Sequence, residues 1–457
     1  MSPHTIVARL GVSDTETVVP GHVGAHVTEI NFIDNYDRLE FGLGQALDQL
    51  DVLGLVPGEC AIDLALVAAT VVAADTRISR ETEAQDGWTR EIEISVPVAE
   101  PAVWVQVSSL LQTALNFLTG DKWALQFRAR PPSRDRLAPI TENLRTAHPD
   151  CVCLFSGGLD SFIGAIDLFA AGATPLLISH YWDGITSQHQ KMCAERMKAR
   201  FAASEFNHIR ARVGFPTDTV DDSPVEDTLR GRSFMFFALA ALAADAMGGD
   251  VTIHVPENGW ISLNVPLDPL RLGSLSTRTT HPFYMARMNE LLTALGIRAR
   301  LLNRYAFQTK GQMARACVDY EFLASYAKET MSCSSPGKTR FAKDESQRQP
   351  KHCGYCVPCL IRRASLLAGG IEDATPYQLP DLRAQVIDTD KAEGSHIRSF
   401  QLAISRLRHK PQSARFDIHR PGPLSDHMGE LQAYTDVYVA GLEEVARLLD
   451  GVRAEPL

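Results

Sequence analysis

No run in this 457-residue chain approaches the roughly 18 uninterrupted apolar residues that a membrane-spanning helix needs. Its opening, MSPHTIVARLGVSDTETVV, lacks the basic start and long apolar core of a secretory signal. A cytoplasmic protein without a membrane partner is therefore expected. Basic charge is also short: 45 Lys and Arg against 55 Asp and Glu leave a formal net charge of −10. That balance lacks the Lys/Arg footprint of phosphate-backbone binding, which makes nucleic acid a poor direct substrate. Two common nucleotide loops are missing, the Walker Gly-x-x-x-x-Gly-Lys-Ser/Thr and the dinucleotide Gly-x-Gly-x-x-Gly. There is no internal repeat and no low-complexity tract. Nine cysteines, an odd number with three inside seven residues, suit a metal site in a reducing compartment better than a disulfide framework.

What is present is an ordinary globular composition, 45% hydrophobic, long enough for two or three domains. Residues 1–145 mix β-like and helical text: REIEISVPV and WALQFRAR alternate like strands, and AVWVQVSSLLQTALNFLTG between them has helical spacing. The proline- and charge-rich RARPPSRDRLAP closes this N-terminal α/β accessory domain. From Cys151, short β-rich runs alternate with long helical ones. CVCLF, TPLLISH, NHIRARV, VTIHVP and RARLLNR predict five strands of a doubly wound parallel sheet within residues 146–380. GRSFMFFALAALAADAMGG, apolar nearly all round, reads as a helix buried against that sheet. Residues 381–457 read as a C-terminal helical extension.

The sharpest motif lies in CVCLFSGGLDSFIGAIDLF. A buried strand delivers the chain to Ser156-Gly157-Gly158-Leu159-Asp160-Ser161, and a helix follows at once. Glycines let backbone wrap an anion, and the helix start offers free N–H groups. Ser156 and Ser161 add hydroxyls, while Asp160 can cap the helix or orient magnesium. Five such positions arise by chance about once in a thousand chains of this length. The motif resembles the PP-loop of the N-type ATP pyrophosphatases, which include GMP synthetase, NAD synthetase, tRNA-thiolating enzymes and 7-cyano-7-deazaguanine synthase. The resemblance implies that ATP is split between its α and β phosphates, with residues 156–161 holding pyrophosphate while a substrate oxygen is adenylated. It also implies a phosphate-binding, catalytic lysine at a helix start after the fifth strand, where QTKGQMARAC puts Lys310. Read from residues alone, such a lysine is equally a solvated one.

A second strong signal is Cys333, Cys353, Cys356 and Cys359. Two successive Cys-x-x-Cys steps and a fourth cysteine twenty residues earlier can close a tetrahedron around a structural zinc ion. A redox or iron–sulfur role is the competing reading. The pattern, ending on Arg362, is similar to the zinc motif of the 7-cyano-7-deazaguanine synthase (QueC) family. GRSFMFFALAALAA matches that family's Gly-Arg-Asn helix, with Arg232 aligned and Ser233 in place of asparagine. The resemblance covers residues 151–370.

It breaks after Glu257, where ENGWISLNVPLDPLRLGSLSTRTTHPFYM replaces the family's substrate loop. Candidates there are Glu257 and Asn258 for a heterocycle edge and Arg271 and Arg278 for anions. Thr279, Thr280 and His281 stand beside a helix start, where they either bind substrate or merely cap. Long chains with this replacement resemble QueC-like proteins of bacterial anti-phage operons, notably the Qat system. That branch implies ATP, magnesium and zinc as cofactors, a 7-deazaguanine carboxylate as substrate, and ammonia or a protein amine, from a defence-operon partner, as acceptor. Two alternatives stand beside this reading, a tRNA-thiolating enzyme and a non-catalytic ATP-binding scaffold. His180 and Asp183, after the second strand, are lesser candidates with a packing explanation of their own.

Overall fold

The computed structural model describes every residue except 1–2, 85–86, 203, 222, 227–228, 269–277 and 338–347. It is an α/β chain with two wholly parallel main sheets. The first orders strands β1 (His4–Arg9), β2 (His26–Asn31), β3 (Glu91–Val98) and β4 (Lys122–Ala129) as β2-β1-β3-β4. The second runs β7 (Asn207–Ala211), β6 (Pro175–His180), β5 (Cys151–Leu154), β8 (Val251–His254) and β9 (Ala299–Leu302), in that order. All five strands expected after Cys151 are present. β5 and β6 are buried along their whole length, as strands covered on both faces must be. Consistent with a doubly wound fold, the chain steps outward from β5 through β6 to β7, then crosses back to β8 on the other side of β5 and on to β9. That reversal opens a crevice at the carboxyl end of β5, the place where open α/β sheets bind ligands.

The helix Arg232–Met247 buries 13 of its 16 residues, as its text requires. Its partner is the helix Glu59–Arg77, which buries 16 of 19 and joins the two sheets through one continuous apolar core. That core runs across residue 145, so the proline-rich break marks a change of text without a change of core. Gln49, on the helix Leu43–Val52, completes the join by closing the free edge of β7. Its side-chain amide donates to the Arg210 carbonyl at 2.8 Å and accepts from the Arg210 N–H at 2.9 Å. An open strand edge is thereby covered. The helices Ala392–His409 and Leu431–Leu448 build a separate apolar cluster with Trp260 and the helix Val357–Gly369. Among the described residues no helix is long and apolar enough to cross a membrane.

Candidate functional site

The crevice at the end of β5 holds the Ser-Gly-Gly loop. Gly157 turns through φ +79°, a conformation that favours glycine, and a Cβ there would sit 3.1 Å from the Gln190 backbone nitrogen. Ser156 Oγ accepts from the Gly158 N–H at 3.3 Å and bonds Ser161 Oγ at 3.1 Å; Ser161 Oγ also donates to the Gly158 carbonyl at 3.0 Å. The helix Leu159–Ala170 begins directly on this knot, and no side chain caps it. Its first-turn N–H groups are therefore left for an anion.

Behind the loop lies a buried charge cluster drawn from three chain segments. Lys310 Nζ is 3.2 Å from Asp160 Oδ1. Asp160 Oδ2 accepts from Asn258 Nδ2 at 2.7 Å and from the Asn258 N–H at 3.2 Å. Burial pushes the Asp160 carboxyl up, but the Lys310 ammonium and hydrogen bonds from Glu257 and Asn258 outweigh it and hold Asp160 below the ordinary carboxylate value. Glu257 goes the other way: burial and the adjacent Asp160 charge drive it well above that value. The two carboxyls are thus pushed apart in acidity beside one lysine, Asp160 toward the ionised form and Glu257 toward the protonated one. Such a pair is a fitting donor set for a hard divalent cation.

Ser156, Ser161, Arg232, Glu257, Thr279, Thr280 and Cys333 line one cavity of about 490 Å³, within the usual range for small-ligand sites. Phe236, Phe237, Val255 and Pro256 give it an apolar wall. Asp160, Asn258 and Lys310 stand behind that lining. Arg232 opens the helix Arg232–Met247 and stacks its guanidinium 3.5 Å from the Trp182 ring centroid. Its side chain makes no hydrogen bond or ion pair among the described residues, and burial pulls its pKa down to about 9 despite the Asp183 charge. A cation held this way has the chemistry to receive an anion. The residue before it is set from the N-terminal region: the Gly231 N–H donates to Asp75 Oδ2 at 2.7 Å, and Arg230 to the Thr119 carbonyl at 2.7 Å. A larger cavity, about 750 Å³, shares Trp182, Leu229 and Arg232 but none of the loop residues; Phe41, Val72, Arg77 and Phe215 help to wall it.

Other expected residues are placed differently. Arg278 donates to the Phe117 carbonyl at 2.9 Å and lies over that ring, while His281 Nδ1 accepts from the Phe283 N–H at 3.2 Å, capping its helix. Neither lines the 490 Å³ cavity. The capping alternative thus describes His281, whereas Thr280 leaves a buried, unpartnered hydroxyl. Arg271 falls outside the described residues. His180 is buried and contacts the Val213 carbonyl at 3.3 Å, and Asp183 caps its helix by accepting from Thr186, so both have packing roles.

The four cysteines converge, their sulfurs within 4.8 Å of one another. A tetrahedral ion with Zn–S of about 2.3 Å separates its sulfurs by about 3.8 Å; Cys353 and Cys359 are 3.8 Å apart, Cys333 and Cys356 4.0 Å. The set therefore fits a metal ion such as zinc. Gly354 makes the knuckle at φ +90°, where a Cβ would meet the Leu379 carbonyl oxygen at 2.7 Å. Cys356 stands just before the helix Val357–Gly369, and Arg362 within that helix is wholly buried. Arg362 donates to the Ala327 carbonyl at 2.6 Å and Thr330 Oγ1 at 2.7 Å. These bonds anchor the segment whose Met331 N–H donates to the Gly157 carbonyl at 2.9 Å. The cysteine cluster is thus tied to the Ser-Gly-Gly loop through one short wall, residues 331–334.

No protein-family model matches the chain, and no curated protein matches it.

Proposed function

We propose that the protein is an ATP-dependent ligase of the PP-loop type, adenylating a 7-deazaguanine-type carboxylate and passing the acyl group to nitrogen. The observation that carries the reading is the convergence at the β5 switch point. An uncapped helix start, Ser156, Ser161, Arg232 and Glu257 face one cavity, with Asp160 and Lys310 directly behind.

In the first step a carboxylate oxygen attacks the α-phosphorus of ATP, the α–β bridge bond breaks, and pyrophosphate leaves. In the second an amine, from ammonia or a protein, attacks the acyl carbon; AMP departs and the nitrogen loses a proton. The loop N–H groups and the two serines hold the leaving pyrophosphate, and Lys310 adds positive charge beside Asp160. Arg232 suits the anion that approaches from the cavity side. Phe236, Phe237 and Pro256 suit a flat heterocycle, with Thr279 and Thr280 offering hydroxyls to its edge. Asp160 and Glu257 would hold magnesium, which neutralises phosphate charge when bound. We assign zinc to the four cysteines as a structural ion, which steadies the wall against Gly157. The setting would be bacterial anti-phage defence, where the acceptor is a partner's amine.

The test is product analysis with pure protein, ATP, magnesium and 7-carboxy-7-deazaguanine. AMP and pyrophosphate are expected. Release of ADP and phosphate would overturn α–β cleavage, and absence of turnover with an amine or partner protein supplied would favour a nucleotide-binding scaffold.

A further inference from the structure

Lys310 is the first residue of the helix Lys310–Ala316, and both of its neighbours are held by a side chain from the C-terminal helical layer. Glu444, on the helix Leu431–Leu448, is 5% exposed. Its carboxylate accepts a short hydrogen bond from Thr309 Oγ1 and another from the Gly311 N–H at 3.3 Å. The contact is so close that a Cβ at residue 311 would fall 2.5 Å from Glu444 Oε1 and 2.8 Å from the Ala368 Cβ. Glycine is therefore what allows the carboxylate in. Thr309 completes the arrangement with a capping box, its hydroxyl accepting from the Gln312 N–H at 3.1 Å while its own N–H donates to Gln312 Oε1 at 2.8 Å. Lys310 lies between these two anchored residues and reaches Asp160 from there.

A carboxylate is costly to bury in a region that is otherwise an apolar helix interface. Burial raises the Glu444 pKa, and the Thr309 hydroxyl and Gly311 N–H work against that rise. The hydrogen bonds go to the chain on either side of one lysine, and to no substrate-facing group. We propose that Glu444 is a positioning residue for Lys310, so that the C-terminal layer sets the ammonium of the phosphate site from behind. This rests on the adenylation reading for its consequence, and on the Thr309, Gly311 and Asp160 contacts for its geometry.

The full-length protein carrying Glu444→Gln tests it. The first readout needs no nucleotide: acylation of the Lys310 amine by an amine-directed reagent, timed by mass spectrometry. Lys310 is expected to react several-fold faster in E444Q, because the residues flanking it lose an anchor. The second is a double-mutant cycle on AMP formation. Glu444→Gln should lower kcat/KM about tenfold in the native background and change nothing further in a Lys310→Met background, with Glu444→Asp recovering part of the loss. Equal losses in both backgrounds, or an unchanged Lys310 acylation rate, would overturn the proposal. If Glu444→Gln does not fold, Glu444→Asp is measured alone, and native Lys310 reactivity in it is likewise contrary to the proposal. If Lys310 reactivity shifts while the native protein makes no AMP, positioning stands and the adenylation reading falls.

Discussion

The cavity at the end of β5 has two walls built on opposite plans. The loop wall, residues 156–161, is made of backbone. Two glycines, a positive φ and an uncapped helix leave N–H donors unspent. The cysteine wall, residues 331–334 with the knuckle beneath it, is made of side chains whose bonding is used up. Four thiols converge on one point, and Arg362 binds two carbonyl or hydroxyl partners within the stretch leading into it. Unspent donors are a resource for binding, and satisfied ones are a resource for rigidity. Changes on the first wall should therefore cost chemistry, and changes on the second should cost stability.

The largest expected effect is on the cysteine wall. Structural zinc contributes on the order of 10 kcal/mol to the folding of small metal domains. Cys356→Ala should lose bound metal and several kcal/mol of unfolding free energy; full metal content with an unchanged melting temperature would refute a closed site. Next is Asp160→Asn, which keeps the shape and removes the charge facing Lys310. On the adenylation proposal, AMP formation should fall roughly 100- to 1000-fold, the scale of one lost electrostatic group, with a smaller loss of unfolding free energy than Cys356→Ala. A variant that loses its fold before its turnover would erase the contrast between the walls.

A finer comparison uses two glycines under the same backbone constraint, Gly157 at φ +79° and Gly354 at φ +90°. Alanine at either site costs about 1–3 kcal/mol of strain. Gly157→Ala should express that cost mainly as weaker pyrophosphate and Mg·ATP binding in calorimetry, and Gly354→Ala as weaker zinc retention against a chelator. The same readout moving in both variants would mean that the walls are one mechanical unit.

How far the sequence foretold this arrangement depends on where the determinants sit. The five central strands and the loop are legible because each is written in one contiguous segment, an apolar run or a glycine knot, and the cysteine set because two Cys-x-x-Cys steps point to a fourth cysteine twenty residues earlier. The helix Glu59–Arg77 is harder to read, for its apolar run carries two carboxylates whose cations lie outside it, Asp63 at Arg130 and Asp75 at Arg90, the latter pair 2.8 Å apart. Arg278 and His281 looked like ligand groups, yet the partners that take them up are Phe117, on the N-terminal helix Pro101–Thr119, and the start of His281's own helix. Glu444 carries no local signal at all. It is one acidic residue on an amphipathic helix, and only its approach to Gly311 distinguishes it.

The smallest effect concerns pH, and its sign follows from burial. His180 and His281 are lowered to about 3, His254 to about 4 and His352 to about 2, in each case chiefly by desolvation. Each stays neutral in the fold and takes up a proton near 6.5 once unfolded, so the unfolded state binds more protons below that value. The stability they contribute is complete above 6.5 and is lost as pH falls toward 4. Asp63, raised to about 6 by burial against the opposing Arg130, has the reverse sign between 3.8 and 6 and removes one proton from the difference. His208, lowered to about 3 by burial, acts with these histidines, while Glu257 and Glu444, raised by burial, act with Asp63. The histidines outnumber these carboxyls, so urea unfolding should show stability falling as pH drops through 5, at about 1.4 kcal/mol per pH unit for each proton in excess. A flat profile between pH 4.5 and 6.5 would show these histidines to be hydrated. His352 also sharpens the contrast between walls, since its Nε2 accepts from the Ser332 N–H at 3.1 Å and its neighbour is Cys353. Replacing it by glutamine should flatten part of the acid slope and loosen the cysteine wall, and leave the AMP formation proposed for the loop wall intact at pH 7.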